Sequence, residues 1–173
     1  MLAIMMILQN GTPFIFQGEE IGMTNLHVKS IDELKDLEAH NIYNFFKSRG
    51  IDDKTALTMV NRKTRDNART PMQWNNESNA GFSSGKPWLE LNNNYKEINV
   101  AEDLDDPRSI YKFYQKVLEL KKESEVFNNG KYQLVDSDDS SIYAYTKIVK
   151  DARALVICSF APYKVKFDVP KEF

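Results

Sequence analysis

Thr12-Pro13-Phe14-Ile15-Phe16-Gln17 is the stretch on which the fold of this chain turns. It is short and nearly all apolar, and glycines bound it at positions 11 and 18. Such runs are typical of parallel strands covered on both faces. A parallel strand needs parallel neighbours, and the chain supplies no obvious ones nearby. The pattern therefore predicts a partner region outside these residues. Upstream, residues 1–8 are apolar. They lack the basic region and the cleavage site of a signal peptide, and they are too short to span a bilayer. They read as the end of a buried helix that begins upstream, stopped at Asn10-Gly11, where glycine accepts the left-handed conformation.

Beyond the strand, residues 18 to about 107 are long and irregular. Ser30 and Glu33 form a capping-box pattern. The pattern predicts a helix from there through Asn44, or as far as Arg49, stopped at Gly50. A second short helix is expected from Asp52 to Arg62. Turn-forming residues dominate from Thr64 to Val100, and a long structured loop of this kind is usually functional. Asp106-Pro107 restarts regular structure as N-cap and first helical residue. Ile110, Phe113, Tyr114, Val117, Leu118 and Leu120 then give one apolar stripe at helical spacing. After Asn128-Asn129-Gly130 the period changes to two. Four short strands are expected, around Tyr132 and Leu134, Ile142 to Tyr145, Leu155 to Ile157, and Val165 to Val169. Their turns fall at 136–140, Lys150-Asp151 and Ala161-Pro162. The expected fold class is thus α/β plus β, with domains at 1–129 and 130–173, the second an antiparallel β module.

The bulk composition sets limits. Of the 173 residues, 42% are hydrophobic and 28% charged, which is ordinary for a soluble globular protein. A net charge of -2, with Lys and Arg scattered, gives no reason to expect nucleic acid or a membrane as partner. Cys158 is the single cysteine, so no intrachain disulfide framework or Cys-based zinc site exists. That favours a reducing, cytoplasmic compartment. The two histidines, His27 and His40, have no ordered carboxylate cluster with them, and no metal site is expected.

Three blocks carry the functional reading: residues 11–25 around Gln17-Gly18-Glu19-Glu20, residues 65–74 (Arg65-Asp66-Asn67-Ala68-Arg69-Thr70-Pro71-Met72-Gln73-Trp74), and residues 79–88 from Asn79-Ala80-Gly81-Phe82 to Trp88. In this order they resemble the α-amylase superfamily of glycoside hydrolases. The branch is that of oligo-1,6-glucosidases, dextran glucosidases, trehalose-6-phosphate hydrolases and related α-glucosidases. The resemblance covers essentially the whole chain and looks like the C-terminal part of such an enzyme. It implies the last βα unit of a (β/α)8 barrel with its long loop, followed by a partial β-sandwich. Residues 12–17 would be the eighth strand, residues 18–105 the loop after it, and the helix from Ser109 to Ser124 the eighth helix. Sites in such barrels are built from the loops at the C-terminal ends of the strands, so this loop would form one wall of the substrate pocket.

The resemblance implies two substrate-binding residues. Arg65 matches a position that helps hold the non-reducing glucose, paired with an Asp from an earlier loop. Its planar fork of donors suits a carboxylate or adjacent sugar hydroxyls. The bland reading is a structural ion pair that folds the loop onto itself. Glu38 matches a position that lines the reducing-side subsite, although a Glu on a helix is ordinarily a solvated charge. Arg69 reads as structural, bracing the turn at Thr70-Pro71. Trp74 and Trp88 read as packing residues that fold the long loop back on the barrel rather than as sugar platforms, with Phe82 as the hydrophobic anchor of the turn at Asn79-Ala80-Gly81. Adjacent residues of a strand point to opposite faces, so Glu19 and Glu20 do not read as an acid/base pair. One is expected to be buried and hydrogen-bonded, and the other to face loop or solvent.

No catalytic residue is expected within the chain. The nucleophilic Asp, the general-acid Glu and the second Asp of the family come from strands four, five and seven, which these residues do not match. The resemblance implies a retaining α-glucosidase acting on terminal α-linked glucose of short oligosaccharides, without a cofactor. The chain alone is expected to be inactive and open to self-association. The alternatives are a trehalose-6-phosphate hydrolase fragment and a non-catalytic carbohydrate-binding or interaction module. Against the last, the β region shows no exposed aromatic row matched to a sugar chain.

Overall fold

The computed structural model describes every residue except Asp136, Asp138 and Glu172. In chain order its helices are α1 (Leu2–Ile7), α2 (Leu37–Ser48), α3 (Asp53–Asn61), α4 (Val100–Asp105), α5 (Ile110–Glu123) and α6 (Glu125–Asn129). The strands are β1 (Lys131–Val135), β2 (Ile142–Val149) and β3 (Ala152–Ser159). The chain folds as two compact units: Met1–Ile15 with Phe113–Phe173, and Phe16–Lys112.

The first unit is built on an antiparallel meander of order β1-β2-β3. Directly paired residues share a face, so Leu134 and Val156 flank Tyr145, and Cys158 sits beside Tyr143. Tyr145, Val156 and Cys158 close a core with Ala3, Ile7 and Leu8 of the α1 region, Tyr114 and Val117 of α5, and Val126 and Phe127 of α6. Lys147 is wholly buried on that face, and its ammonium donates to the carbonyl of Phe127 in α6. Burial, helped by the nearby charge of Lys121, pushes its pKa down. Lys121 donates to the carbonyls of Gln9 (2.6 Å) and Gly11 (3.0 Å), fixing the chain as it leaves α1.

Several expectations change here. Residues 12–16 belong to no ladder among the described residues, and Phe14 is 84% exposed. A strand exists only through hydrogen bonds to a neighbour, and no other described segment offers one. Around Val165, Phe167 and Val169 the alternation holds only as far as Phe167, since Val169 is 51% exposed, and the stretch joins no sheet, so the described residues form three strands rather than four. The turn at Lys150-Asp151 forms as expected, with Lys150 at φ 51 between the paired Val149 and Ala152. The expected turn at 136–140 falls partly outside the described residues. Of the α5 stripe only Tyr114 and Val117 are buried, while Ile110, Phe113, Leu118 and Leu120 stay exposed.

The second unit is the long loop, folded around Leu26, Val28, Leu34, Ala39 and Val60. Helices α2 and α3 pack against each other over this core, with Tyr43, Phe46 and Leu57 at its edge. The capping box at Ser30 and Glu33 is present, but it closes only one 3-10 turn, Ile31–Glu33. Leu34 leaves helical space at ψ 145, and Asp36 caps a fresh start at Leu37. The single predicted helix is therefore a turn and a helix. The second predicted helix forms as α3, with the Asp52 carboxylate accepting from Thr55 N–H (3.0 Å).

Backbone without a ladder must find other partners, and buried amides supply them. Asn92 Nδ2 donates to the carbonyls of Thr24 (3.1 Å) and Asn25 (3.0 Å). Asn67 accepts from Leu26 N–H and donates to the Asn61 carbonyl. Gln73 is buried and donates to the Ile98 carbonyl. α4 was not expected. Asn99, fully buried, caps it by accepting from Glu102 N–H at 3.0 Å. Asp106, expected to start α5, instead ends α4 and accepts from Arg108 N–H (2.8 Å) in a local turn. α5 starts three residues later, where Ser109 Oγ accepts from Lys112 N–H.

Candidate functional site

Arg65 and Glu38 lie 27 positions apart in the sequence, and the fold of the second unit brings them together. Two loop segments meet here, one entering α2 and one forming the 3-10 turn Arg65–Ala68. Arg65 Nε stands 3.7 Å from Glu38 Oε2. Both side chains remain more than half exposed, at 53% and 64%.

What holds Arg65 is Asp36, which the sequence reading missed. Asp36 Oδ1 accepts from Arg65 Nε at 3.0 Å and from Nη2 at 2.5 Å. Its Oδ2 accepts from the backbone N–H of Arg65 at 2.9 Å, and Oδ1 also accepts from Glu38 N–H at 3.2 Å. Among the described residues the acidic partner of Arg65 is thus Asp36, from the same loop. The Asp36 carboxylate is buried, so its charge must be matched. The Arg65 guanidinium holds it well below the usual carboxylate range, against the opposing pull of burial. In return, the hydrogen bond to Asp36 raises the Arg65 pKa. One edge of the guanidinium is thus fixed while the side chain stays open to solvent. Asp36 was legible in one respect: an Asp immediately before Leu37 is a strong N-cap signal.

Asp66 completes the arrangement. It is wholly buried, and Oδ2 accepts from Lys35 N–H (2.6 Å) and Asp36 N–H (3.0 Å). Its Oδ1 has no hydrogen bond, and the nearest cation is Arg69 Nη1 at 3.9 Å. Arg69 thus reaches back to Asp66 beside the buried Thr70-Pro71 turn. Alongside the Asp36–Arg65 pair runs a cleft of about 520 Å³ between α2 and α3, lined by Asp36, Glu38, Ile42, Phe46, Met59 and Thr64. Its size is that of a small-molecule site.

Other candidates fall elsewhere. Glu20 accepts from Gly18 N–H at 2.7 Å, closing the turn Glu19–Ile21. Both Glu19 and Glu20 are half-buried, so the expected split into one buried and one outward Glu does not occur. Glu19 lines a smaller depression of about 210 Å³ with Gln17, Asn25 and Asn67. Within this chain Trp74, Trp88 and Phe82 are 50%, 67% and 46% exposed, and the barrel on which the two tryptophans are expected to pack is not among the described residues. The turn after Trp74 is held by its backbone, with Trp74 and Asn75 N–H donating to the Ala80 carbonyl. His40 Nε2 bonds the Leu34 carbonyl at 2.9 Å, while His27 is exposed. Among the described residues no cluster of His, Cys, Asp or Glu is arranged for a metal. Among them, too, no helix is long and apolar enough to cross a membrane.

Residues 1–130 match the family described as the α-amylase catalytic domain. Over 172 residues the chain is 45% identical to an oligo-1,6-glucosidase of Halalkalibacterium halodurans, covering 99% of this chain and 31% of that protein. It is 38% identical over 170 residues to the trehalose-6-phosphate hydrolase of Bacillus subtilis, covering 98% and 30%. Among solved structures, the trehalose-6-phosphate hydrolase of Bacillus licheniformis superposes with a TM-score of 0.95 at 42% identity, over 99% of this chain and 31% of that one. The chain thus spans about a third of the length of the relatives it matches. With catalytic-domain sequence, similarity and superposition in agreement, the chain belongs to the α-amylase family of glycoside hydrolases.

Proposed function

We propose that this chain is the closing segment of a retaining α-glucosidase of the oligo-1,6-glucosidase type, and that its loop forms one wall of the sugar pocket. Residues 1–129 would complete a (β/α)8 barrel, and residues 130–173 would begin the β domain. Arg65 holds the non-reducing glucose unit, and Glu38 lines the reducing side. The observation that carries this reading is the clamp on Arg65. Asp36 takes one edge of its guanidinium, the half-exposed side chain stands 3.7 Å from Glu38, and Asp36 and Glu38 both line a cleft of ligand size. A purely structural pair would explain the clamp but not the neighbouring Glu38 and the cleft.

The chemistry of a retaining glycosidase needs two carboxyl groups about 5–5.5 Å apart, one as nucleophile and one as acid then base. In this reading those groups belong to strands that the chain does not match, so the chain binds and orients but does not cleave. Short oligosaccharides are the parent's substrates. Its place is the cytoplasm, in keeping with a lone cysteine that is free and buried.

Calorimetric titration with isomaltose tests the reading, with hydrolysis of a nitrophenyl α-glucoside on the same folded sample. Weak binding that Arg65→Ala lowers at least tenfold, with no hydrolysis, is the expected outcome. Binding unchanged in that variant removes Arg65 from the site, and hydrolysis by the chain alone overturns the assignment of the chemistry to other strands. A second reading, trehalose-6-phosphate as the parent's substrate, is favoured by the close superposition on the Bacillus licheniformis enzyme. Tighter binding of trehalose-6-phosphate than of isomaltose would select it.

A further inference from the structure

We infer that Asp66 is a positioning residue for Arg65, and that it acts through the backbone of Lys35 and Asp36. The inference deepens the sugar-binding role proposed for Arg65 and rests on it in that respect. Two buried carboxylates clasp two loop segments reciprocally. Asp36, on the first segment, takes the backbone N–H of Arg65 on the second. Asp66, on the second, takes the backbone N–H groups of Lys35 and Asp36 on the first. Thr64 ties the ends, with its hydroxyl accepting from Asp66 N–H and donating to Asp36 Oδ2.

The geometry gives Asp66 one purpose. Asp36 can grip the guanidinium only if its own backbone is fixed, and Asp66 supplies two of the donor–acceptor bonds that fix it. The preceding residue Leu34 has already left helical space, and although the Asp36 carbonyl accepts from His40 N–H at the start of α2, the N–H groups of Lys35 and Asp36 donate to Asp66 rather than to a helical carbonyl. Asp66 is nowhere exposed and cannot touch a sugar itself. Its Oδ1 is left without a hydrogen bond inside the protein. An unbonded buried oxygen costs stability, so the carboxylate is retained for what Oδ2 does. Arg69, 3.9 Å from that orphan oxygen, supplies the compensating charge.

The test uses the full chain, labelled with nitrogen-15. Two readouts are taken: hydrogen exchange at Arg65 Nε–H, and affinity for isomaltose. Asp66→Ala is expected to speed Nε–H exchange at least tenfold and to weaken isomaltose binding at least tenfold. Amides of α3, such as Ala56 and Val60, should keep their protection, which separates positioning from general loosening. Asp66→Asn keeps an acceptor oxygen but loses the charge, so an acceleration of about threefold is expected. If Asp66→Ala fails to fold, the Asn variant decides. Nε–H exchange within 1.5-fold of the unaltered chain in the folded variants overturns the inference. Should the unaltered chain bind no isomaltose while Asp66→Ala still frees Nε–H, the positioning role stands and the sugar-binding reading of Arg65 falls.

Discussion

Asp36 shows how a single side chain can join two segments 29 residues apart. Its carboxylate is buried and meets a guanidinium on one side and backbone N–H groups on the other. Hydrogen bonds to a charged group contribute roughly 1.5–3 kcal/mol each way they are measured. Asp36→Asn should therefore lower the stability of the second unit by about 2 kcal/mol at neutral pH, read by urea denaturation. The pH dependence has a definite sign. The folded pKa of Asp36 is depressed, so its contribution is complete above the ordinary carboxylate value and is lost as pH falls toward the folded one. The gap between the two proteins should thus be constant near neutrality and shrink below about pH 4. A gap that widens in acid would mean that Asp36 is protonated in the folded protein. The short-range part of this arrangement, Asp36 as an N-cap, was readable in the sequence. The pairing with Arg65 was not, because nothing local links two charges across 29 residues.

Among the elements, local signals placed best what depends on hydrogen bonds within a few residues. The caps at Ser30 and Asp52, the turn at Lys150-Asp151 and the break at Gly130 all occur where the sequence puts them. What the pattern overstated were a fourth strand at 165–169, which needs a distant partner, and one continuous helix from Ser30, which breaks locally at Leu34. The junction of α6 and β1 is the tightest joint. A Cβ added at Gly130 would lie 2.3 Å from the Val126 carbonyl oxygen and 3.2 Å from Ile148 N. Backbone cannot give way as a side-chain tip can. Gly130→Ala should cost about 1–3 kcal/mol, the range for forced overpacking, and should lower the denaturation midpoint of the sheet unit. An unchanged midpoint would show that α6 shifts freely against β2.

For the whole molecule, the exposed apolar surface is the dominant fact. Phe14, Phe16, Trp74 and Trp88 are each at least half exposed, more than a stable monomer ordinarily leaves open. We propose that the isolated chain self-associates through such surface. Sedimentation velocity should show the average mass rising with concentration, and Phe14→Ser combined with Phe16→Ser should return it toward the monomer. A monomer at every concentration sinks the proposal. The sequence by itself determined the family, the helical and alternating segments and their caps, and the candidates Arg65 and Glu38. These follow from residue order and from interactions within a few positions of one another. Only the tertiary structure decided that Asp36 pairs with Arg65 and that Asp66 is buried and holds the backbone of Lys35 and Asp36. Burial and pairing across a long loop depend on how separated segments meet in space, and no local pattern in the chain encodes that meeting.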